Sequence, residues 1–497
     1  MGHSYIVSAI VLLLIGIGSS SSQTLAAGGL TTQQLGYVNS VAAGGSGAGW
    51  TGLTNAQEVA LAGKADDYLH DYQTYHLPNG LNADVWFTNF SRTTVATYPA
   101  TGYDGLGDSA TFTGHYLAAL SLKYRNVSDP AVRQQTLASI NATLDKIDML
   151  TQVSGKSGYI ARHAVPLANA AQATVPGTYL AYYSNYNHFG NRSQVYSTLG
   201  PDAFMGTYSG TAYGWLGGTE RDTYVGVNYG LATTLAKVDD PGVQSKVRTI
   251  IDRVLGDLKS NSWYIRDGQA AGPFGINNLR VPVTTTLKAA LLRTAATADP
   301  GKYRADYESA AASAPSSNTL STDSYYSNNL EFASMYALNV LEQKDTATGY
   351  DAKWAGRLQN DWQQASNHLN AEFAGVYLAA SRNTSDLRAL VTLEGELADF
   401  PAGPKWARQD LGVTSTATAQ HVTVRQPLDF IWQRTSFDIH TMGDRTPLEY
   451  PGIDVFLPYW LGVDAGVFVV PEPSIIGLLA SGILFLAIYF ARRVKRA

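Results

Sequence analysis

The chain has 497 residues and a formal net charge of −5, which becomes more negative once the basic C-terminal cluster is set aside; that balance argues against nucleic acid or an anionic surface as partner. It contains no cysteine, so disulfides, thiolate metal sites and a cysteine nucleophile are excluded. The nine histidines are scattered, with no HExxH helix, EF-hand order, GxSxG elbow or P-loop, so the sequence predicts neither a metal nor a cofactor.

Residues 1–26 carry an apolar run from Ile6 to Ile17, a serine cluster, and then small residues around Ala26, the order of a secretory signal peptide. The run is shorter than the roughly 20 apolar residues a spanning helix needs, which favours removal over anchoring. Residues 27–52 are rich in Gly, Ala, Ser and Thr and read as a flexible lead-in. The body is expected over 53–466, opening with a helix from Asn55.

Helical periodicity then recurs. A helix from Ser109 to about Lys123 is followed by Asp129-Pro130 and a second helix to about Thr151; a similar pair, Thr223 to Lys237 and Val243 to Lys259, turns at Asp240-Pro241. Further helices are expected at 285–296, 323–342, 352–368, 370–380 and 386–397, and strand-like alternation is scarce. The paired helices read as repeated hairpins, with spacing broken by long aromatic and Gly-rich loops. The expectation is an all-α chain, an α/α toroid of hairpins in a ring. This arrangement resembles the six-hairpin glycosidase and polysaccharide-lyase scaffold, which implies a carbohydrate-active enzyme.

Two glycine-bracketed acidic loops precede the leading helices of the two pairs. In the first, Tyr103, Asp104 and Asp108 lead into a helix bearing His115; in the second, Trp215, Glu220, Arg221 and Asp222 lead into one bearing Tyr224. Asp104, Asp108, Glu220 and Asp222 are therefore candidate catalytic carboxylates, since most glycoside hydrolases use one protonated acid and one ionised partner. Asp108 and Asp222 are equally candidates for helix capping, which needs an oxygen at that position and nothing more. Arg162 and His163 follow the outer helix of the first pair, where they suit an acidic sugar or simply the helix dipole. Trp432 and Arg434, in an aromatic and charged stretch from Arg425, could stack on and bind a sugar or close the ring. His115, Tyr224 and Arg221 are also residue types that would serve a polysaccharide lyase, and the aromatics leave open a non-catalytic glycan binder.

Residues 467–497 are read as a tail: Val470-Pro471-Glu472-Pro473-Ser474, an apolar run from Ile475 to Phe490, and a basic end at Arg492, Arg493, Lys495 and Arg496. The prolines break any helix, the run can enter a membrane as a transmembrane helix, and the basic end stays cytoplasmic. The order VPEPS, apolar span, basic cluster resembles the PEP-CTERM sorting signal. The resemblance covers about the last 27 residues and implies an exosortase as processing partner, with Pro471, Glu472 and Pro473 as its motif, in an envelope or surface protein.

Overall fold

Side-chain oxygens that take unpaired backbone amides set where most of the helices begin, as in the first two. Thr31 and Thr54 each form a reciprocal capping box, with Gln34 and Gln57, at the starts of α1 (Thr32–Ala42) and α2 (Asn55–Tyr75). The computed structural model describes residues 29–90, 100, 102–166, 203–266, 280–321, 324–425 and 429–470. The expected signal peptide and the sorting tail lie outside these residues. Much of the expected flexible lead-in is in fact α1, which buries Val38 and Val41. Asn55 is the first helical residue and Thr54 is its cap.

The Asp-Pro turns behave as predicted. Asp129 and Asp240 accept from the first amides of α4 (Pro130–Leu150) and α6 (Pro241–Ser260), with proline filling the position whose N–H has no helical partner. These outer helices follow the leading helices α3 (Ser109–Asn126) and α5 (Arg221–Lys237). A third Asp-Pro turn, Asp299-Pro300, joins α7 (Thr285–Ala298) to α8 (Pro300–Ser313). Then come α9 (Tyr325–Lys344), α10 (Asp351–Ala365), α11 (Ala371–Ser381), α12 (Leu387–Asp399) and α13 (Ile453–Asp464).

The leading helices touch in a closed circuit, α3 to α5, α5 to α9, α9 to α11, α11 to α13 and α13 back to α3, with α7 wedged against α5 and α9. Outer helices cover one side each, and their sequences show it: α6 buries Val243, Val247, Ile250, Ile251, Val254, Leu255 and Leu258, a single stripe. The circuit helices are buried all round instead. α3 is buried without a break from Ser109 to Leu122, and α5 from Asp222 to Leu235.

The tightest contact in the circuit joins α3 and α5. A Cβ on Gly226 would lie 2.4 Å from the Thr111 carbonyl oxygen, and one on Gly114 would lie 2.0 Å from that of Gly226. Only glycine lets the two backbones approach this closely.

The expectation of an all-α chain is corrected. Among the described residues, nine strands form three antiparallel sheets, of order β2-β1-β9-β8, β3-β5-β4 and β6-β7. Their members are β1 (Asp84–Trp86), β2 (Gly102–Asp104), β3 (His163–Pro166), β4 (Ala203–Tyr208), β5 (Thr211–Leu216), β6 (Tyr264–Arg266), β7 (Arg280–Pro282), β8 (Trp406–Ser415) and β9 (Asp438–Glu449). Five of these strands span three or four residues, too few to display alternation, and β8 is exposed along most of its length. Among the described residues no helix is long and apolar enough to cross a membrane; the expected transmembrane helix falls in the undescribed tail.

The middle of the circuit is filled by polar aromatics. The His115 ring stacks on Trp432 at 5.6 Å and meets the edge of Tyr229 at 5.1 Å, and the Tyr229 hydroxyl donates to Glu372 Oε1 at 3.3 Å. Burial pushes the Glu372 and Glu396 carboxyls up to about 8. Both groups therefore hold a proton in the folded chain at pH values where the unfolded chain, titrating near 4.5, has released it. Stability from this source is present below the unfolded value and lost as pH rises towards the folded one. The urea midpoint is expected to fall between about pH 5 and about pH 8. Glu372→Gln and Glu396→Gln should flatten that fall. Separately, Gly226→Ala is expected to cost about 1–3 kcal/mol or more in urea denaturation, because backbone rather than a flexible side chain must move.

Candidate active site

A short strand pair begins the site. Asp84 of β1 lies directly opposite Asp104 of β2, which puts both side chains on one face of the sheet. Gly105 follows at φ +68°, and a Cβ there would stand 2.8 Å from Asp84 Oδ2, so the turn and the buried carboxylate together require glycine. Asp104 Oδ1 accepts from the Gly105 amide at 2.8 Å. Burial drives the Asp84 carboxyl well above the usual range; Asp429, Asp104 and Asp108 push the same way, and Lys405 opposes them. Burial and the neighbouring carboxylates thus both disfavour the ionised form of Asp84.

Asp108 occupies the N-cap position of α3 but makes no capping hydrogen bond, and neither does Glu220 at the start of α5. At α3 the backbone does that work, since the Arg162 carbonyl accepts from the Ala110 amide at 2.9 Å. Asp222 is engaged locally: its Oδ1 accepts from the Thr223 amide at 2.7 Å, and its Oδ2 accepts from the Tyr326 hydroxyl at 3.2 Å. Tyr326 stands in the first turn of α9, and burial holds its hydroxyl protonated, with Asp222 and Asp108 both adding to that effect and Arg162 opposing it. Asp222 of one acidic loop therefore touches this phenol, and Asp108 of the other acts on it through its charge alone.

Arg162 ties the two loops together. Its Nε donates to the Gly218 carbonyl at 2.8 Å and its Nη1 to the Gly107 carbonyl at 3.3 Å, while Nη2 lies 4.0 Å from Glu220 Oε1. On the other flank Arg434 holds Asp429 through Nη2, at 3.0 and 2.9 Å to the two carboxylate oxygens. Tyr450 lies beside this group, its hydroxyl kept protonated by burial and by Asp84, Asp429 and Asp104. Lys405 Nζ sits beneath, 2.5 Å from Asp454 Oδ2.

Other predicted contacts with substrate are not placed for it. His115 and Tyr224 are wholly buried, and burial lowers His115 to about 4. His163 Nδ1 lies 2.7 Å from Ser109 Oγ, and burial brings it down to about 3. Trp215 packs on Phe204 and Tyr159, and Trp432 plugs the circuit. Tyr103 packs half-buried against the apolar clusters around Leu106 and Val85. Seven of the nine tryptophans are buried in the core, and Trp86 and Trp263 are half-buried. Arg221 lines a separate pocket of about 260 Å³ with Asn318, Thr319, Ser327, Asn328 and Glu331.

Asp84, Asp429, Tyr326 and Tyr450 are the members that sequence reasoning missed. Tyr326 carried a usable signal, because the run Ser324-Tyr325-Tyr326 enters a predicted helix as the two acidic loops do. Asp84 carried none, since a three-residue strand leaves no pattern. Comparison with family models, with curated proteins and with solved structures returns no match. Because neither residue caps its helix, Asp108→Ala and Glu220→Ala are each expected to shift stability by less than the ~1 kcal/mol typical of a lost cap. Arg162→Ala, which frees two loops at once, is expected to lower Tm measurably by calorimetry.

Proposed function

We propose that this chain is an exported carbohydrate-active enzyme, a glycoside hydrolase acting on extracellular or envelope polysaccharide through the carboxylates at the entry to α3 and α5. The observation that carries the reading is the bridging of the two acidic loops by Arg162, with Asp222 hydrogen-bonded to Tyr326 and Asp108 acting on the same phenol through its charge. Hydrolysis of a glycosidic bond needs one carboxylic acid to protonate the leaving oxygen and one carboxylate to act as base or nucleophile. Asp84, held protonated by burial and like charge, has the character of the first; Asp104, opposite it, and Asp222 suit the second. The hydroxyl- and amide-lined pocket beside Arg221 supplies groups that pair with sugar hydroxyls.

Burial of His115 and Tyr224 weighs against the lyase alternative, which needs such groups at the substrate. The buried tryptophans weigh against a glycan binder built on aromatic platforms. The N-terminal apolar run and the Pro471-Glu472-Pro473 tail support export, membrane attachment through the tail and processing by an exosortase-type enzyme.

The test is a panel of bacterial and plant polysaccharides, with reducing-end release as readout. Asp104→Asn and Asp222→Asn are each expected to lower turnover by orders of magnitude while leaving Tm nearly unchanged. Full activity in both variants would overturn the assignment, and products with the ultraviolet absorbance of an unsaturated uronate would replace it with the lyase.

A further inference from the structure

Next to the Trp432 plug, the middle of the circuit holds a small cavity of about 20 Å³, lined among others by Glu372, Glu396, Asp454, Trp432 and Arg425. Glu372 comes from the first turn of α11, Glu396 from α12, Asp454 from the first turn of α13, and Trp432 from the short helical turn Ile431–Gln433. These four side chains are at most 4% exposed.

Each of the three carboxyls is satisfied on one oxygen. Glu372 Oε1 accepts from the Tyr229 hydroxyl at 3.3 Å, and Glu396 Oε2 accepts from the Val422 amide at 2.9 Å. Asp454 Oδ2 accepts from the Ile431 amide at 2.9 Å and holds Lys405 Nζ at 2.5 Å. The second oxygen of each, Glu372 Oε2, Glu396 Oε1 and Asp454 Oδ1, is buried and has no well-formed hydrogen bond within the protein, and the same holds for Trp432 Nε1. His421 Nε2 stands 3.7 Å from Glu396 Oε1, beyond bonding distance, and the Asp454 carboxyl has its own backbone amide beside it. Buried polar groups in folded chains are rarely left so, and here the unsatisfied atoms of four segments belong to side chains lining one cavity. The volume decides how much the cavity takes: a water needs roughly 10–15 Å³ of such space, so one fits and two do not.

The lining also selects the chemistry. Trp432 Nε1 can only donate, Asp454 is tied to the Lys405 ammonium and accepts, and burial keeps Glu372 and Glu396 protonated at neutral pH, so that each can donate or accept. The occupant must therefore accept and donate at once, which a metal cation cannot do. The guanidinium of Arg425, 8% exposed and donating to the Ile431 and Arg434 carbonyls, is a further obstacle to a cation, and three carboxyls are an obstacle to an anion. We infer that this cavity is the binding site of one internal water molecule, shared by Glu372, Glu396, Asp454 and Trp432. The water fastens α13, the helix that completes the circuit, to α11, α12 and the Trp432 turn. Through Asp454 the network continues to Lys405, beneath the acidic group. The inference does not depend on the hydrolase reading.

A high-resolution crystal structure of the full-length wild-type chain decides the matter without any variant. The expected result is a single density peak in the cavity, about 2.7–3.2 Å from at least three of Glu372 Oε2, Glu396 Oε1, Asp454 Oδ1 and Trp432 Nε1. Crystals soaked in Rb⁺ or Tl⁺ are expected to show no anomalous peak at that point. In solution, the Trp432 indole N–H, assigned by its loss in Trp432→Phe, is expected to show a cross-peak to a long-lived water by NMR. A cavity without density, carboxyls closed directly on one another, or an anomalous cation peak would each overturn the inference.

Discussion

The backbone contact between α3 and α5 is the constraint on which the rest of the molecule depends. Gly114, Gly226 and Gly230 leave no room for side chains there, with a Cβ on Gly230 only 2.5 Å from the Gly114 carbonyl oxygen. Two helices so close and roughly level present their N-terminal ends side by side. The acidic loops that lead into them are neighbours for that reason, and a single guanidinium, Arg162, can reach carbonyls in both. Geometry at the rim is set by packing one to two helical turns below it.

The same packing moderates the charge that gathers there. The N-terminal ends of α3, α5 and α9 all face the carboxylates, and each helix end carries a partial positive charge of roughly half an elementary unit. Arg162, Arg434 and Lys405 add full charges around the edge. Even within that field, burial drives the Asp84 carboxyl well above the usual carboxylate range.

Much of the helical framework was legible in the chain, and the reasons are local. Asp129-Pro130 and Asp240-Pro241 announce helix starts through chemistry confined to four residues, and the observed starts fall at the prolines. α13 was not legible: with every residue from Ile453 to Val463 buried, it has no polar face and so no period. α1 was obscured by its Gly- and Ser-rich surroundings, although Thr31 and Gln34 formed a readable capping box. At the site, Asp108 and Asp222 could be named because they sit in a repeated loop. Asp84 and Asp429 could not, because what makes them members is the pairing of a three-residue strand for Asp84 and, for Asp429, its electrostatic effect on an Asp84 far away in the sequence.

The place of α13 in the circuit bears on how the chain reaches its folded state. It is the last described helix, yet it lies between α3 and α11 and touches both. The α3 surface that it covers is made roughly three hundred residues earlier in the chain. Until α13 arrives, α3 and α11 each expose an apolar flank with no partner, so the closed circuit cannot form stepwise as the chain emerges. Such closure by a distant terminal segment raises the contact order and slows folding. It also leaves the circuit open, with the apolar flanks of α3 and α11 uncovered, until residues 453–464 are in place.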